Sequence, residues 1–256
     1  MGVNVIVLAL ESEAACTGKT TTLRVLTSSF VTANRSVFIA NAGTIDDGDE
    51  DDLGEWAFKL LGEPDEPQLI DYRQIKSPDA LIETLRTKRR TKDNDFLIID
   101  TSNGRPTLAD IARKSADLTL IPSIQRCAES ASRPTLAKSA DYQLSYEVFS
   151  KSTRKRSLRS MLPRSEIFAD QNEGGHIPDM LRAFSQRTRE TTKSPSRHKV
   201  SFERRQAAKA AWSAAQSLAW EVEWLARGYS LAKVEASEDR FGKGSEFKRG
   251  TGEGML

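Results

Sequence analysis

The chain has 256 residues, 38% of them hydrophobic and 29% charged, with a formal net charge of +2; that is enough to bury one sizeable core and an appendage. Two cysteines, Cys16 and Cys127, give neither a disulfide framework nor metal-ligand spacing, which argues against a disulfide-stapled secreted domain and against a zinc module. No apolar run approaches the roughly 20 residues of a membrane span and the N-terminus lacks a signal-peptide layout, so a cytoplasmic protein without a transmembrane segment is expected.

Val3 to Leu10 is aliphatic and β-branched without polar alternation, the pattern of a strand buried on both faces of a parallel sheet. The next stretch, Glu13-Ala14-Ala15-Cys16-Thr17-Gly18-Lys19-Thr20-Thr21-Thr22, precedes a helical pattern with Leu23, Leu26 and Phe30. Its end fits a phosphate-binding loop, because Gly18-Lys19-Thr20 at a strand-to-helix turn supplies an ammonium for β- and γ-phosphates and a hydroxyl for Mg²⁺. Its beginning departs from G-x-x-x-x-G-K-[ST], since Glu13 stands where the first glycine belongs and a carboxylate there repels phosphate unless turned away. Cys16 is read as a small tolerated residue. Ser36 to Ala42 is a second short strand, and the acidic run from Asp46 to Asp52 a solvated loop.

Leu53 to Leu61 is read as a helix, and Ser77-Pro78-Asp79 opens another that passes Leu81 and Leu85 to a basic end at Lys88-Arg89-Arg90. Phe96-Leu97-Ile98-Ile99-Asp100 is a Walker B pattern, with an aspartate at a strand's carboxyl end that would hold Mg²⁺ beside the phosphate loop; capping a turn is the alternative role. Leu118 to Ile121 followed by Pro122 predicts a strand ending in a loop, and Ser132 to Ala140 a helix. Strands alternating with helices imply an α/β fold, a mainly parallel sheet flanked by helices in Rossmann-like layers.

From Lys151 to Lys209 bases outnumber acids, and Lys151, Arg154, Lys155, Arg156 and Arg159 are candidate contacts to a nucleic-acid backbone; a merely solvated face is the alternative. His176 and His198 accompany no nucleophile pattern and are read as surface or capping residues. Thr191 to Arg197, with Pro195, reads as a linker. Phe202 to Arg227 is helical and alanine-rich, with Trp212, Trp220 and Trp224 forming one stripe, which either packs on its own domain or docks a partner. The chain divides into residues 1–190 as the main domain, 191–234 as linker and C-terminal helical extension, and 235–256 as a disordered tail.

The order of these motifs resembles the ParA/MinD group of P-loop ATPases, which includes plasmid and chromosome partition proteins and related conjugation proteins, over roughly residues 1 to 185. The family's K-G-G-x-G-K-[ST]-T is matched at Gly18, Lys19, Thr20 and Thr21. Its I-D-T-P-P-G is similar to Ile99-Asp100-Thr101-Ser102-Asn103-Gly104, and its A-D-x-x-x-x-P to Ala116-Asp117-Leu118-Thr119-Leu120-Ile121-Pro122. The segment Leu162-Pro163-Arg164-Ser165-Glu166-Ile167-Phe168-Ala169-Asp170, with Glu173-Gly174-Gly175, looks like the family's late arginine-containing turn.

The resemblance implies ATP and Mg²⁺ as cofactors. Backbone N–H groups of Thr17 and Gly18 would cradle phosphate, Lys19 would hold the β/γ-phosphates, Thr21 would complete the nucleotide loop, and Thr20 and Asp100 would hold the metal. It also implies a possible homodimer, non-sequence-specific DNA and a partner protein as candidate partners. The family's inter-subunit lysine falls on Ala14 and its two following glycines on Ala15 and Cys16, while its D-x-D falls on Asn41 and Gly43. Asparagine orients a water but takes no proton from it, so hydrolysis is expected to be weak or absent. The stretch from Asp141 to Leu162 is shorter than in typical members, which implies a deleted or compressed strand. The alternatives are a non-catalytic DNA- or protein-binding scaffold on the same fold and another P-loop enzyme such as a small-molecule kinase.

Overall fold

Five consecutive apolar residues, Ile6–Leu10, form β1 and are buried throughout, because a central parallel strand is covered by helices on both faces. The structure is a computed structural model that describes residues 4–12, 18–43, 52–59, 69–101, 105–126, 142–150, 153–163, 165, 168 and 195–229. After β1 come α1 (Lys19–Thr32), β2 (Val37–Ala42), α2 (Asp52–Lys59), β3 (Ile70–Gln74), α3 (Pro78–Thr91), β4 (Phe96–Thr101) and α4 (Pro106–Ser115). The chain continues with β5 (Leu118–Arg126), β6 (Tyr142–Ser150), β7 (Thr153–Ser157), β8 (Leu162–Pro163) and α5 (Pro195–Ala226).

The strands form one sheet in the order β3-β2-β4-β1-β5-β6-β7, with β8 beside β6. The first five are parallel, and β6, β7 and β8 are antiparallel to their neighbours. The α/β layering expected from the sequence is therefore present, with an antiparallel end. Strand alternation divides the core in two: Ile6, Leu8, Leu10, Val37, Ile39, Phe96 and Ile98 face one layer, and Val5, Val7, Ala9, Phe38, Ala40, Leu97 and Ile99 the other. Residues of α1, α2 and α5 fill the first layer, and residues of α3 and α4 the second.

Helix α1 lies between the sheet and α5, so every residue from Thr22 to Phe30 is buried. Phe30 stacks on Phe96 with ring centroids 3.8 Å apart. Its hydroxyl residues are accommodated in part by bonding back one turn, Thr22 to the Gly18 carbonyl, Ser29 to Val25 and Thr32 to Ser28. Helix α3 starts as its sequence dictates, with Pro78 in the first turn and the Ser77 hydroxyl accepting from Ala80 N at 3.2 Å.

Two expectations are corrected, and a third stretch is found to hold strands. Pro122 does not end its strand: β5 runs on to Arg126, pairing with β6 alone after Leu120, and a proline is tolerated where a strand has an open edge. Helix α5 begins at Pro195, inside the stretch read as a linker, since proline suits a first helical turn. The stretch Asp141 to Leu162, read as compressed, holds an antiparallel hairpin of β6 and β7, and β8 starts at Leu162. The segments read as an acidic loop, as a helix from Ser132 to Ala140 and as a disordered tail lie outside the described residues, apart from Asp52 at the start of α2.

Along α5 the buried hydrophobic residues are Ala208, Ala211, Ala215, Leu218, Ala219 and Val222, a stripe of mostly small side chains that lets this helix approach α1 closely. Trp212 packs against the edge of that core, while Trp220 and Trp224 are half-buried, with ring centroids 5.4 Å apart. The helix thus packs on its own chain. Glu221 and Glu223 fasten it: Glu221 accepts from the backbone N–H of Arg159 at 3.1 Å and Ser160 at 2.9 Å, and Glu223 pairs with Arg35 and Arg227.

Candidate functional site

Neighbouring strands β1 and β4 send their following helices to opposite layers, α1 to one and α4 to the other. A crevice opens at the carboxyl ends of such strands, the usual ligand position in open α/β sheets. Leu10 of β1 is paired with Asp100 of β4, and Asp100 with Asn41 of β2. Alternation places Asp100 and Asn41 on the layer of α1, because Phe96 and Ile98, and Val37 and Ile39, point there.

Gly18 is the N-cap of α1, in the left-handed region at φ 86, where glycine carries no Cβ penalty. Lys19 opens the helix and its ammonium donates to the carbonyl oxygen of Thr101, the residue after Asp100. The Thr101 hydroxyl in turn donates to the Leu10 carbonyl at 2.8 Å, tying the ends of β4 and β1 together. Thr20 is exposed and Thr21 half-buried in the first turn; Thr17 lies outside the described residues.

Asp100 is buried, and its Oδ1 has no hydrogen-bond partner among the described residues. Burial raises its pKa from 3.8 to about 6, and the nearby Lys19 ammonium opposes that rise without cancelling it. A buried carboxylate oxygen with no partner, next to an ammonium, is a poor arrangement for stability alone. It suits a cation, and a single carboxylate beside phosphate oxygens is a ligand set that Mg²⁺ accepts, with the Lys19 ammonium facing the anion instead of the metal. The unpartnered Asp100 oxygen and the neighbouring Lys19 ammonium are thus compatible with a cation and an anion side by side.

Asn41 is held at both ends of its amide, its Nδ2 donating to the Tyr72 hydroxyl at 3.0 Å and its Oδ1 accepting from Gly43 N at 2.9 Å. Glu11, the residue after β1, is buried and takes Arg113 of α4 in a two-pronged ion pair, with Nη2 at 2.6 Å and Nε at 3.0 Å. This pair fixes the start of the loop after β1; nothing in the local sequence links residues so far apart.

The structure places Gly18, Lys19, Thr20 and Thr21 at the start of α1, with Lys19 beside Asp100 at the carboxyl end of β4, and does not bring the basic candidates there. Arg154, Lys155 and Arg156 lie on β7. Arg156 shares a rung with Val148, Leu120, Leu10 and Asp100, but two strands, β5 and β6, separate β7 from β1, roughly 14 Å over three strand spacings. Arg159 is exposed, with its backbone on Glu221, and Lys151 lies outside the described residues. Among the described residues no helix is long and apolar enough to cross a membrane. The chain matches no protein-family model, and no curated protein matches it significantly.

Proposed function

We propose that this chain is an ATP-binding protein of the P-loop kind, similar to the ParA/MinD partition ATPases, that holds Mg·ATP at the crevice between β1 and β4 and turns it over weakly or not at all. The observation that carries the reading is the placement of Lys19, at the first turn of α1, beside a buried Asp100 whose Oδ1 lacks a partner among the described residues. Mg²⁺, when bound, would neutralise the charge that the phosphates bring to this end of the sheet. Lys19 would leave the Thr101 carbonyl for the β/γ-phosphates, and Thr20 and Asp100 would hold the cation. Amide groups at the start of α1 favour an anion through the helix end.

Asn41 stands where the resemblance expects a carboxylate, and its amide is engaged by Tyr72 and Gly43. It accepts no proton from an attacking water, so binding without efficient hydrolysis is the expected chemistry. Service in plasmid or chromosome maintenance or DNA transfer is the setting that the resemblance suggests.

A titration with a fluorescent ATP analogue tests the binding reading. Saturable, Mg²⁺-dependent binding that Lys19→Ala weakens at least about ten-fold, the loss of one charge-assisted contact, supports it. A wild-type protein with no saturable signal overturns it. The second reading, a docking scaffold without nucleotide, is favoured by the position of Arg154, Lys155 and Arg156 on the terminal strand of the sheet, away from the crevice.

A further inference from the structure

Two contacts cross from β6 to the start of α1. The Tyr146 hydroxyl lies 3.2 Å from Thr22 Oγ1, and Leu144, two residues earlier, is seated over Gly18, where an added Cβ would come 2.7 Å from its Cδ2. Both residues sit on the part of β6 that pairs with β5 beyond Leu120, so the hairpin rises past the end of β1 and walls one side of the crevice.

The hydrogen bonds have a direction. Thr22 donates its one hydroxyl proton to the Gly18 carbonyl at 2.7 Å, so the contact with Tyr146 is a donation by the phenol. Burial pushes the Tyr146 phenol well above its usual range, which keeps it a protonated donor. The Gly18 carbonyl also accepts from Thr22 N at 2.9 Å. In a trans peptide the carbonyl of one residue and the N–H of the next point in opposite directions. A Gly18 carbonyl pinned down the helix therefore aims the Lys19 N–H outward from the helix end, where an anion is bound.

We propose that Tyr146 is a positioning residue of the phosphate site, acting through Thr22 and the Gly18 carbonyl to fix the direction of the Lys19 amide, with Leu144 closing the space above Gly18. The assignment rests on the nucleotide reading above and adds to it a residue on the antiparallel hairpin that no phosphate motif includes. Its chemistry concerns phosphate groups, and it makes no contact with the ligand itself.

The test uses the full chain, wild type and the variants Tyr146→Phe, Thr22→Val and Thr22→Ser, titrated with a fluorescent ATP analogue in Mg²⁺, with thermal melts of each free protein. Tyr146→Phe is expected to weaken binding about three- to ten-fold, the effect of one net hydrogen bond, with little change in melting temperature. Thr22→Val should weaken it at least as much, and Thr22→Ser, which keeps the hydroxyl, should restore wild-type affinity. Unchanged affinity in Tyr146→Phe overturns the assignment, and so does a loss that Thr22→Ser fails to restore or that tracks the melting temperature. A wild type that binds no analogue instead overturns the nucleotide reading and, with it, this assignment.

Discussion

Asp100 is the last residue but one of a strand that is buried along its whole length, and burial keeps its carboxylate from full solvation. The pKa of about 6, against 3.8 for the free side chain, means that folding favours the protonated acid. Below about pH 3 the group is mostly neutral in both folded and unfolded states and costs nothing. As pH rises through 6 it becomes ionised in both, and the folded state bears the full penalty, about 3 kcal/mol for two pKa units. Asp100→Asn is therefore expected to raise the stability of the free protein at pH 7.5 by roughly 2–3 kcal/mol, with most of the gain lost by pH 4. Denaturant unfolding at pH 4, 6 and 7.5 checks this; a gain that does not depend on pH would contradict it. The trade of stability for a charged group at a binding site is common where function needs the charge.

At the scale of elements, helix α5 is what turns α1 from a surface helix into a buried one. Its attachment depends on Glu221, a buried carboxylate that accepts two backbone N–H groups next to β8. Glu221→Ala is expected to cost about 2–4 kcal/mol through two lost charge-assisted hydrogen bonds and to speed hydrogen exchange at the amides of Arg159 and Ser160; unchanged exchange there would contradict the fastening role. The legible elements were those with one clear signal. Strands β1, β2 and β4 are apolar runs because both their faces are buried, and α3 announces itself through Ser77, Pro78 and its basic end. The edge strand β3, Ile70–Gln74, buries one residue and alternates with charged ones, so it carried no such run. Strands β6 and β7 are antiparallel and polar on one face or charged, which in sequence looks like surface chain. The site divides the same way. Gly18, Lys19 and Asp100 stand in motifs that need only local spacing, whereas Tyr146 meets Thr22 across 124 positions and Glu11 meets Arg113 across 102. Such contacts exist only once the sheet order is set.

In the whole molecule, charge and chemistry occupy different places. The crevice lies where β1 and β4 end, while the basic strand β7 lies at one edge of the sheet. Basic residues on an edge strand also prevent strand-to-strand aggregation, so DNA contact needs its own test. If β7 and Arg159 meet a DNA backbone, retention of DNA of arbitrary sequence falls steeply between low and moderate salt, and charge-removing substitutions at Arg154, Lys155 and Arg156 weaken it while leaving ATP affinity unchanged. Retention indifferent to salt would contradict that contact. Under the proposed reading, Ala14 and Asn41 stand where the resemblance expects a lysine and a carboxylate, and ATP is then expected to be bound more than consumed.

The central claim is that Lys19 and Asp100 belong to one Mg-nucleotide site. Calorimetric titration of ATP into wild type and Asp100→Asn, each in Mg²⁺ and in EDTA, tests it most directly. The expected result is tighter binding in Mg²⁺ than in EDTA for the wild type and near-equal binding in both for Asp100→Asn. An Asp100→Asn protein that gains as much from Mg²⁺ as the wild type would contradict it.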